Sequence, residues 1–494
     1  MSMCLNLHML PSPQTPEHPG QGNRQDTQGE REWHVIIVGG SIAGLTLAHC
    51  LTKLDVDYIV LEKRQDIAPQ EGASIGILPH GGRILDQLGL FDEIEKNVEP
   101  LTTAHISYPD GFSHTNQSPR VLLERFGLPL AFLERRKLLQ ILYNSLPDTS
   151  KVFVGKTVVS VEQTAANNTV AVHTDDGSVY EGDLVVGADG VHSRVRLEMW
   201  RLAELEQPGL ITAQEKNGMK VEYICIFGIS DCVPDFHPGE QVASLHNGRS
   251  FLTFPGKDGR VFWFLLQKLG RQYPYSSAPR WSKTDIEKTA ERYSTDHIWN
   301  GIQFGDLWKR RQSVGITNLE ENVFSTWHWG RIVCIGDSVH KMAPNTGQGA
   351  NCAIEDAAAL ANTIEAAMRD GQWSSQAAIH FLLHSFQRTR HARVHEVYKS
   401  SRLVVRLHAR ESLLLRLVGR YYLPYSGDLP ADTASKIIAG GVELRFLAPS
   451  LRSGPGWENY RRKNRYLELT AVLGVLSLIF LGYIILGAGR APVS

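Results

Sequence analysis

The sequence predicts an α/β protein in which a Rossmann-like, dinucleotide-binding unit is combined with a strand-rich second part. Strand and helix patterns alternate from Trp33 to about residue 145, which is the order of a βαβ fold. Between about residues 151 and 335 the chain is rich in β-branched and aromatic residues, as in a β-sheet domain. The 494 residues are enough for two or three domains.

Composition limits the partners that we expect. The net charge of −1 gives no basic excess of the kind that nucleic-acid binding needs, so we expect no nucleic-acid partner. The six cysteines form no CxxC pair and no histidine-spaced set, so the sequence predicts no metal site. Cysteines inside apolar helical patterns, such as Cys50 and Cys352, favour a reduced, intracellular protein.

The stretch VIIVGGSIAGLTLAHCL (35–51) is typical of a strand, a tight turn and a helix. In such a unit Gly39 allows the turn and Gly44 lets the helix pack on the strand. Ser41 occupies the second glycine position, where the backbone approaches a pyrophosphate. The next strand ends at Glu62. Its spacing from the glycine turn along the sequence is that of the acidic residue that accepts hydrogen bonds from ribose hydroxyls. Together these features predict a site for an adenine dinucleotide; a tight turn without a ligand is the alternative.

Two later segments also run from a strand into a loop. One is LVVGADGVHSRVR (184–196), and the other is RIVCIGDSVHKMAPNTGQGANCAIEDAAALA (331–361). Within the second, NTGQGAN (345–351) brings backbone N–H groups and a helix start together, which stabilises negative charge. In this order the three segments resemble the class A FAD-dependent monooxygenases, which have the para-hydroxybenzoate hydroxylase-like fold. The resemblance covers roughly residues 33–400.

The resemblance implies that FAD is the cofactor and gives roles to individual residues. Glu62 would hold the adenosine ribose, Gly76 would approach FAD through its backbone, and Asp337 would bond the ribityl or pyrophosphate region. Arg135, in an R-x-x-L-x-x-x-L pattern, is expected to reach the cofactor, and Ala350 lies where the last loop becomes a helix. The predicted cofactor-binding residues are therefore Gly39, Gly44, Glu62, Gly76, Arg135, Asp337 and Ala350.

Five further side chains have functional and structural interpretations. Tyr223 is the candidate catalytic residue because it matches a tyrosine of related proteins, although a tyrosine on a half-buried strand needs no function. His340 suits a proton carrier, but its place in a loop that the family uses structurally favours a structural role. Pro344 would shape the substrate side of the flavin ring, Asp189 would support flavin or nicotinamide, and Arg136 would face solvent.

The sequences of three segments resemble more narrowly the fungal membrane-bound epoxidases of indole-diterpene and meroterpenoid pathways, the paxilline-type monooxygenases. These segments are VIIVGGSIAGLTLAHCL, GASIGILPHGGRILDQLGLFDEIE and GDSVHKMAPNTGQGANCAIEDAA. The resemblance implies that NADPH or NADH reduces FAD and that O2 adds to give a C4a-hydroperoxide. An alkene of a farnesyl or geranylgeranyl chain then takes an oxygen atom to form an epoxide, before cyclisation. The implied partners are a prenylated aromatic or terpenoid substrate, O2 and a downstream membrane terpene cyclase.

Two other functions stay open. The same cofactor supports aromatic or phenolic hydroxylation, and a flavin-type fold without catalysis would serve as a carrier for prenylated compounds. The segments SFLTFPG and RVFWFLLQK suit either the wall of a pocket for a polyprenyl chain or ordinary sheet core, which periodicity does not separate.

The last segment predicts a membrane anchor. Leu469–Leu486 contains no charged residue and is long enough to cross a bilayer. The basic RRKNR (461–465) before it predicts a single-pass tail anchor, with the catalytic body in the cytosol at the endoplasmic reticulum. Arg402, Arg406 and Arg410 interleave with leucine and valine, which fits a helix on the membrane surface or an amphipathic helix packed on the body.

The predicted domain organisation follows from these segments. Residues 1–32 are rich in Pro, Gln, Gly and Asn and are expected to form a disordered leader. The remaining parts are a first FAD-binding segment (33–150), a mixed FAD-binding and β-sheet substrate segment (151–330), a last FAD-binding segment (331–400), a C-terminal helical region (401–465) and the transmembrane tail anchor (466–489).

Overall fold

A six-stranded, mostly parallel sheet carries the predicted dinucleotide turn near its centre. The computed structural model describes residues 33–462, apart from 71–73, 165–168 and 372–374. The run VIIV is buried, because the helix that begins at Ile42 packs on the Ile37 side and the strand Val179–Gly182 packs on the Ile36 side. The strand His328–Trp329 pairs antiparallel with Ile332–Cys334, and all other neighbouring strands of this sheet are parallel. The order across the sheet is His328–Trp329, Ile332–Cys334, Leu184–Gly187, His34–Val38, Asp57–Glu62 and Val152–Val154.

The second large element is a mixed eight-stranded sheet. Its neighbouring strands are antiparallel, except that Glu240–His246 pairs in parallel with Thr103–Ser107. Long strands rich in β-branched and aromatic residues form its middle, as the sequence predicts for a sheet domain. The order is His340–Lys341, Arg311–Val323, Lys220–Ser230, Val261–Pro274, Arg249–Pro255, Glu240–His246, Thr103–Ser107 and Ser113–Asn116.

Smaller sheets and the helices complete the described fold. A three-stranded antiparallel sheet contains Val179–Gly182, Thr169–Thr174 and Val158–Thr164, and two-stranded pairs join Ser74–Ile77 to Ala131–Glu134 and His297–Trp299 to Ile302–Gln303. The α-helices are Ile42–Lys53, Pro79–Gln87, Phe91–Glu95, Ser118–Phe126, Arg135–Asn144, Arg194–Glu206, Ala213–Lys216, Lys283–Arg292, Phe304–Lys309, Gln348–Arg369, Gln376–His408, Leu413–Leu417, Leu429–Ala439 and Gly456–Arg462.

Side chains of the large sheet alternate between two apolar clusters. Along Arg249–Pro255, Phe251 packs into one cluster, whereas Leu252 and Phe254 pack into another on the opposite face. Trp263 joins Phe251 on its side. Because successive residues of a strand point to opposite faces, SFLTFPG supplies both sheet core and cavity wall. Phe251 therefore belongs to the sheet core, whereas Leu252 and Phe254 line a cavity, and the binding of a polyprenyl chain there stays a prediction.

The long helix Gln376–His408 packs on the body of the protein at its C-terminal end. Val405 and Ala409 are buried against the large sheet. Arg406 donates to the carboxylate of Glu222 on strand Lys220–Ser230. The arginine-and-leucine pattern of this region therefore belongs to an amphipathic helix on the body, the second of its two interpretations.

The predicted membrane localisation is corrected by the structure. Within the described part of the chain, no helix combines the length and the apolar character that crossing a bilayer requires. Gln376–His408 has 33 residues, but arginine, lysine and glutamate side chains occur along it. The proposed span at 466–489 and the proposed leader at 1–32 lie outside the described residues.

Candidate active site

The first glycine turn is shaped by close backbone contacts. Gly39 has a φ of +109°, and its N–H donates to the carbonyl of Leu61 at 2.8 Å. A Cβ at Gly39 would collide with the carbonyl of Ala188, and a Cβ at Gly44 would collide with the carbonyl of Gly39. Both positions therefore require glycine, since a side chain would force strand, turn and helix apart.

Glu62 and Ser41 lie at the open side of this turn. Oε2 of Glu62 accepts from the N–H of Gly40 at 2.8 Å, and Oε1 accepts from the N–H of Arg64 at 2.9 Å. These bonds fix the carboxylate at the end of the second strand, where a ribose binds in Rossmann-like folds. Nη2 of Arg135 donates to Oγ of Ser41 at 2.8 Å. Arg135 begins the helix Arg135–Asn144, so this bond brings its guanidinium to the turn.

Asn351 ties three backbone segments together at the other side of the site. Its Nδ2 donates to the carbonyl of Gly76 at 2.9 Å and to that of Gly347 at 2.7 Å. Its Oδ1 accepts from the N–H of Leu78 at 3.0 Å. Sequence reasoning missed this residue. The available signal was a buried amide in an otherwise alanine-rich helix, which normally needs partners.

The helix Gln348–Arg369 presents its first turn to the site. Gly347 precedes it with a φ of +63°, and the first N–H groups of a helix have no partner within it. A Cβ at Gly349 would have Asp337 Oδ1 as its nearest neighbour, at 4.0 Å, so bare backbone faces open space there. Ala350 follows on the same turn, and Gly349 and Ala350 both line one large cavity of the protein. This arrangement suits the anionic part of a cofactor.

Asp337 lies in the 3₁₀ turn Gly336–Ser338 and accepts a hydrogen bond from Nζ of Lys341. Burial alone would lower the pKa of Lys341, but the Asp337 carboxylate outweighs burial and raises it. Both residues line the same cavity as the helix start. The pair therefore places a fixed negative and a fixed positive charge beside the bare backbone of that helix.

A buried charge cluster supports the Asp337 loop from behind. Oδ2 of Asp356 accepts from the N–H of Gly336 at 2.8 Å and from Nε2 of His340 at 2.6 Å. Nε of Arg390 donates to Oδ1 of Asp356 at 2.7 Å. Burial would raise the pKa of Asp356, but His340 and Arg390 hold it below its usual value. His340 thus has a structural contact, in line with its favoured interpretation.

Asp189 caps a helix at the edge of the site. Its Oδ1 accepts from Oγ of Ser193 at 2.5 Å, and its Oδ2 accepts from the N–H groups of Arg194 at 2.6 Å and Val195 at 3.1 Å. Burial raises the pKa of Asp189. The residue also lines the cavity, while Arg136 lies outside it and donates to Gln70 at 3.1 Å.

Tyr223 is buried on strand Lys220–Ser230 of the large sheet, and its hydroxyl lies beside charged side chains. Its hydroxyl donates to Oε2 of Glu411 at 2.8 Å, and Nζ of Lys268 donates to Oε1 of the same carboxylate at 2.5 Å. Burial, followed by the Glu411 carboxylate, raises the pKa of Tyr223. Tyr223 is not among the described residues that line the cavity. A role in orienting substrate stays a prediction.

A cavity of about 1670 Å³ connects these loops. Pockets for single small molecules are usually about 300–1,000 Å³, so this one has room for a dinucleotide and a second molecule. Gly44, in contrast, packs behind the turn. The other predicted cofactor-binding residues all line the cavity: Gly39, Glu62, Gly76, Arg135, Asp337 and Ala350.

The cavity continues into an apolar arm, which we define as Leu130, Phe132, Leu252, Phe254 and Phe264. The arm begins where Phe132 pairs with Gly76 across two short strands. A Cβ at Gly76 would lie 2.9 Å from the Phe132 ring. Phe132 stacks on Phe254 with ring centroids 3.8 Å apart and planes 12° apart. The arm thus opens directly beside a predicted cofactor contact.

The C-terminal region closes part of the cavity wall. Helix Leu429–Ala439 contributes Leu429, Thr433 and Ile437, and the end of the long helix contributes Leu407. In the described ranges, no group of three or more His, Cys, Asp or Glu side chains is arranged to hold a metal ion.

Solved structures share this fold at low identity. Klebsiella pneumoniae HpxO, solved with FAD and uric acid, aligns with a TM-score of 0.68 at 21% identity, covering 84% of this chain and 98% of that chain. FqzB aligns with a TM-score of 0.62 at 19% identity, covering 84% and 92%. At such identities the likeness concerns the fold alone, and it confirms the predicted α/β, para-hydroxybenzoate hydroxylase-like architecture.

Curated relatives are far more similar in sequence. The FAD-dependent monooxygenase cle3 of Aspergillus versicolor is 71% identical over 450 residues, covering 90% of this chain and 92% of the relative. The FAD-dependent monooxygenase spyC of Aspergillus fumigatus is 63% identical over 430 residues, covering 86% and 90%. The family described as FAD binding domain matches residues 32–401. The chain therefore belongs to the FAD binding domain family and is one of its FAD-dependent monooxygenases.

Proposed function

We propose that this monooxygenase epoxidises an alkene in the polyprenyl chain of a meroterpenoid or indole-diterpene intermediate, in fungal secondary metabolism and before cyclisation. One observation carries the proposal: the apolar arm opens at the Gly76–Phe132 pair, beside the predicted cofactor contacts. A prenyl chain is apolar along its whole length and suits such an arm. The curated relatives support the setting, since cle3, spyC and others come from fungi.

The residues present fit FAD. Glu62 would hold the ribose, and the bare backbone around Gly349 would face the flavin or the pyrophosphate. Arg135 and Lys341 supply positive charge along the same wall. When bound and reduced by NADPH or NADH, FAD supplies one electrophilic oxygen atom from O2.

The chain's own task is then to position the alkene and keep water out. Leu252, Phe254 and Phe264 form one wall of the arm and offer no polar atoms to a solvent molecule. A trisubstituted alkene is nucleophilic without a base, so orientation and dryness are the main contributions that the protein must make. An arm of aliphatic and aromatic side chains suits a protein that positions the alkene and excludes water while FAD supplies the oxygen atom.

A matched pair of substrates tests the proposal. The purified FAD-loaded protein is given NADPH and a prenylated aromatic compound, or the same compound with its chain hydrogenated, and products are analysed by mass spectrometry. We expect one added oxygen in the first compound and none in the second. Oxygenation of the hydrogenated compound on its ring would instead support the alternative, aromatic hydroxylation.

The carrier alternative has a different signature. A carrier would bind the prenylated compound without consuming NADPH. Membership of the FAD-dependent monooxygenases favours turnover over simple binding. Absence of NADPH oxidation with every prenylated compound that binds would count against the enzyme proposal.

A further inference from the structure

A histidine–asparagine pair interrupts the apolar wall of the cavity. His408 ends the long helix Gln376–His408, and Asn345 lies in the 3₁₀ turn Pro344–Thr346, just before the helix that begins at Gln348. Nδ1 of His408 and Nδ2 of Asn345 are 3.1 Å apart, and both side chains line the cavity.

With the Asn345 amide oriented as it is in the structure, the contact assigns the ring hydrogen of His408. The amide nitrogen of Asn345 can only donate, so Nδ1 of His408 accepts. In a neutral imidazole the proton is then on Nε2, which leaves Nε2–H as a donor. Burial lowers the pKa of His408 to about 4, which keeps the ring neutral near pH 7.

A second hydrogen bond and nearby apolar side chains hold the pair in place. Beside it, Oγ1 of Thr346 and Oγ of Ser401 are 2.7 Å apart, a second bond between the same loop and the same helix. Ala343 and Val405, which flank the pair in sequence, belong to the apolar cluster that contains the arm residue Phe254. A neutral donor in an apolar wall is the usual means by which a pocket orients a ligand.

We propose that Nε2–H of His408, held by Asn345, binds an acceptor oxygen on the cyclic head of the substrate, such as a carbonyl or hydroxyl oxygen. The head is thereby fixed near the Pro344–Thr346 turn while the chain extends into the apolar arm. This contact selects which alkene of the chain lies beside Gly76. The inference rests on the proposed function, because it assumes a substrate with a polar head and an apolar chain.

Two conservative variants separate this role from a structural one. In His408→Gln the side-chain nitrogen overlays Nε2 and keeps the cavity donor, whereas the bond to Asn345 is lost. In His408→Asn the side chain keeps a partner for Asn345 but does not reach the Nε2 position. The unfolding midpoint of each variant reports on the bond to Asn345, and ligand binding reports on the donor.

Binding is measured by titrating the FAD-loaded protein with a prenylated aromatic ketone, or with its deoxy analogue, and following the flavin absorbance change. We expect the wild-type protein and His408→Gln to prefer the ketone by about fivefold to tenfold, as one hydrogen bond allows. His408→Asn should bind both compounds equally. Preference that persists in His408→Asn, or equal binding by the wild-type protein, would overturn the inference.

The same experiment distinguishes failure of the inference from failure of the proposed function. Equal binding of both compounds, together with epoxide formation, would remove the role of His408 and leave the epoxidase intact. A preference for the ketone, together with oxygen added only to the ring, would support His408 and remove the epoxidase.

Discussion

Nδ2 of Asn351 donates a hydrogen bond of 2.9 Å to the carbonyl of Gly76, which precedes it by 275 residues in the chain. The same amide also bonds Leu78 and Gly347. One side chain therefore sets the distance between a strand and a helix start that both face the cavity. Because the amide both donates and accepts, a carboxylate of the same shape does not replace it.

We predict that Asn351→Asp weakens FAD binding by tenfold or more. A carboxylate at this position faces the carbonyls of Gly76 and Gly347 without a hydrogen to share, so the two segments separate. Asn362→Asp is the matched control: this residue is on the same helix and bonds backbone groups of Glu443 and Arg445, away from the site. Its FAD dissociation constant, measured by fluorescence titration, should stay within about twofold; a similar loss in both variants would contradict the assignment.

A pair of glycine variants tests whether the cavity wall at the helix start is in contact with the cofactor. In Gly349→Ala the new methyl group meets no atom from another part of the chain closer than 4.0 Å, so the apoprotein should be as stable as the wild-type protein. The methyl group would lie in the cavity beside Asp337, where we expect FAD to bind, so FAD affinity should fall at least tenfold. Gly44→Ala should instead prevent folding, because its methyl group collides with the carbonyl of Gly39. Unchanged FAD affinity in Gly349→Ala would show that FAD lies elsewhere.

The two faces of strand Arg249–Pro255 should respond differently to the same substitution. Phe254→Leu breaks the stack on Phe132 and should raise KM for a prenylated substrate several-fold while FAD binding is retained. Phe251→Leu, on the opposite face, should lower the free energy of unfolding by about 1–2 kcal/mol with KM unchanged. Steady-state kinetics and urea unfolding of both variants provide the comparison. Equal effects on KM would argue against the apolar arm as the chain-binding site.

We predict that His328, at the edge of the parallel sheet, causes part of the loss of folding stability at acid pH. Burial, and then the neighbouring His380 and His384 with ring centroids at 5.3 and 6.2 Å, lower the pKa of His328 to about 4. An unfolded histidine titrates near pH 6.5, so between pH 6.5 and 4 the unfolded chain binds a proton that the folded chain does not. Stability is therefore lost as the pH falls through this window, by at most about 1.4 kcal/mol per pH unit from this group.

His328→Phe removes this contribution. Urea unfolding at pH 7.0, 6.0 and 5.0 should give a shallower loss of stability in the variant than in the wild-type protein, by about 1 kcal/mol per pH unit below 6.5. Identical pH slopes for the two proteins would place the acid-sensitive group elsewhere.

Features contained in short stretches of sequence were predictable, and features that depend on distant contacts were not. The turn around Gly39 and the carboxylate of Glu62 follow from one strand–turn–helix unit, so spacing alone predicts them. Asn351 bonds residues far away in the chain, and its role appears only when Gly76 and Gly347 are brought together. The partner of Tyr223 is Glu411, 188 residues later, which no periodicity indicates.

The large sheet illustrates the same limit. Alternation in SFLTFPG predicts a strand but does not say which face meets a cavity and which meets a core. The wall formed by Leu429–Ala439 was predicted only as part of a helical region, because its partners lie in earlier segments. The tail-anchor prediction rested on the apolarity of one segment and found no support from a spanning helix within the described residues.

The most direct test of the central claim is the position of oxygen from ¹⁸O₂ in the product. The FAD-loaded protein is incubated with NADPH, ¹⁸O₂ and a prenylated aromatic substrate, and the product is fragmented in a mass spectrometer. The account predicts a single ¹⁸O on two former alkene carbons of the chain, which acid opens to a diol with one labelled and one unlabelled oxygen. Label on the aromatic ring, or an unlabelled product from a protein that holds FAD, would contradict it.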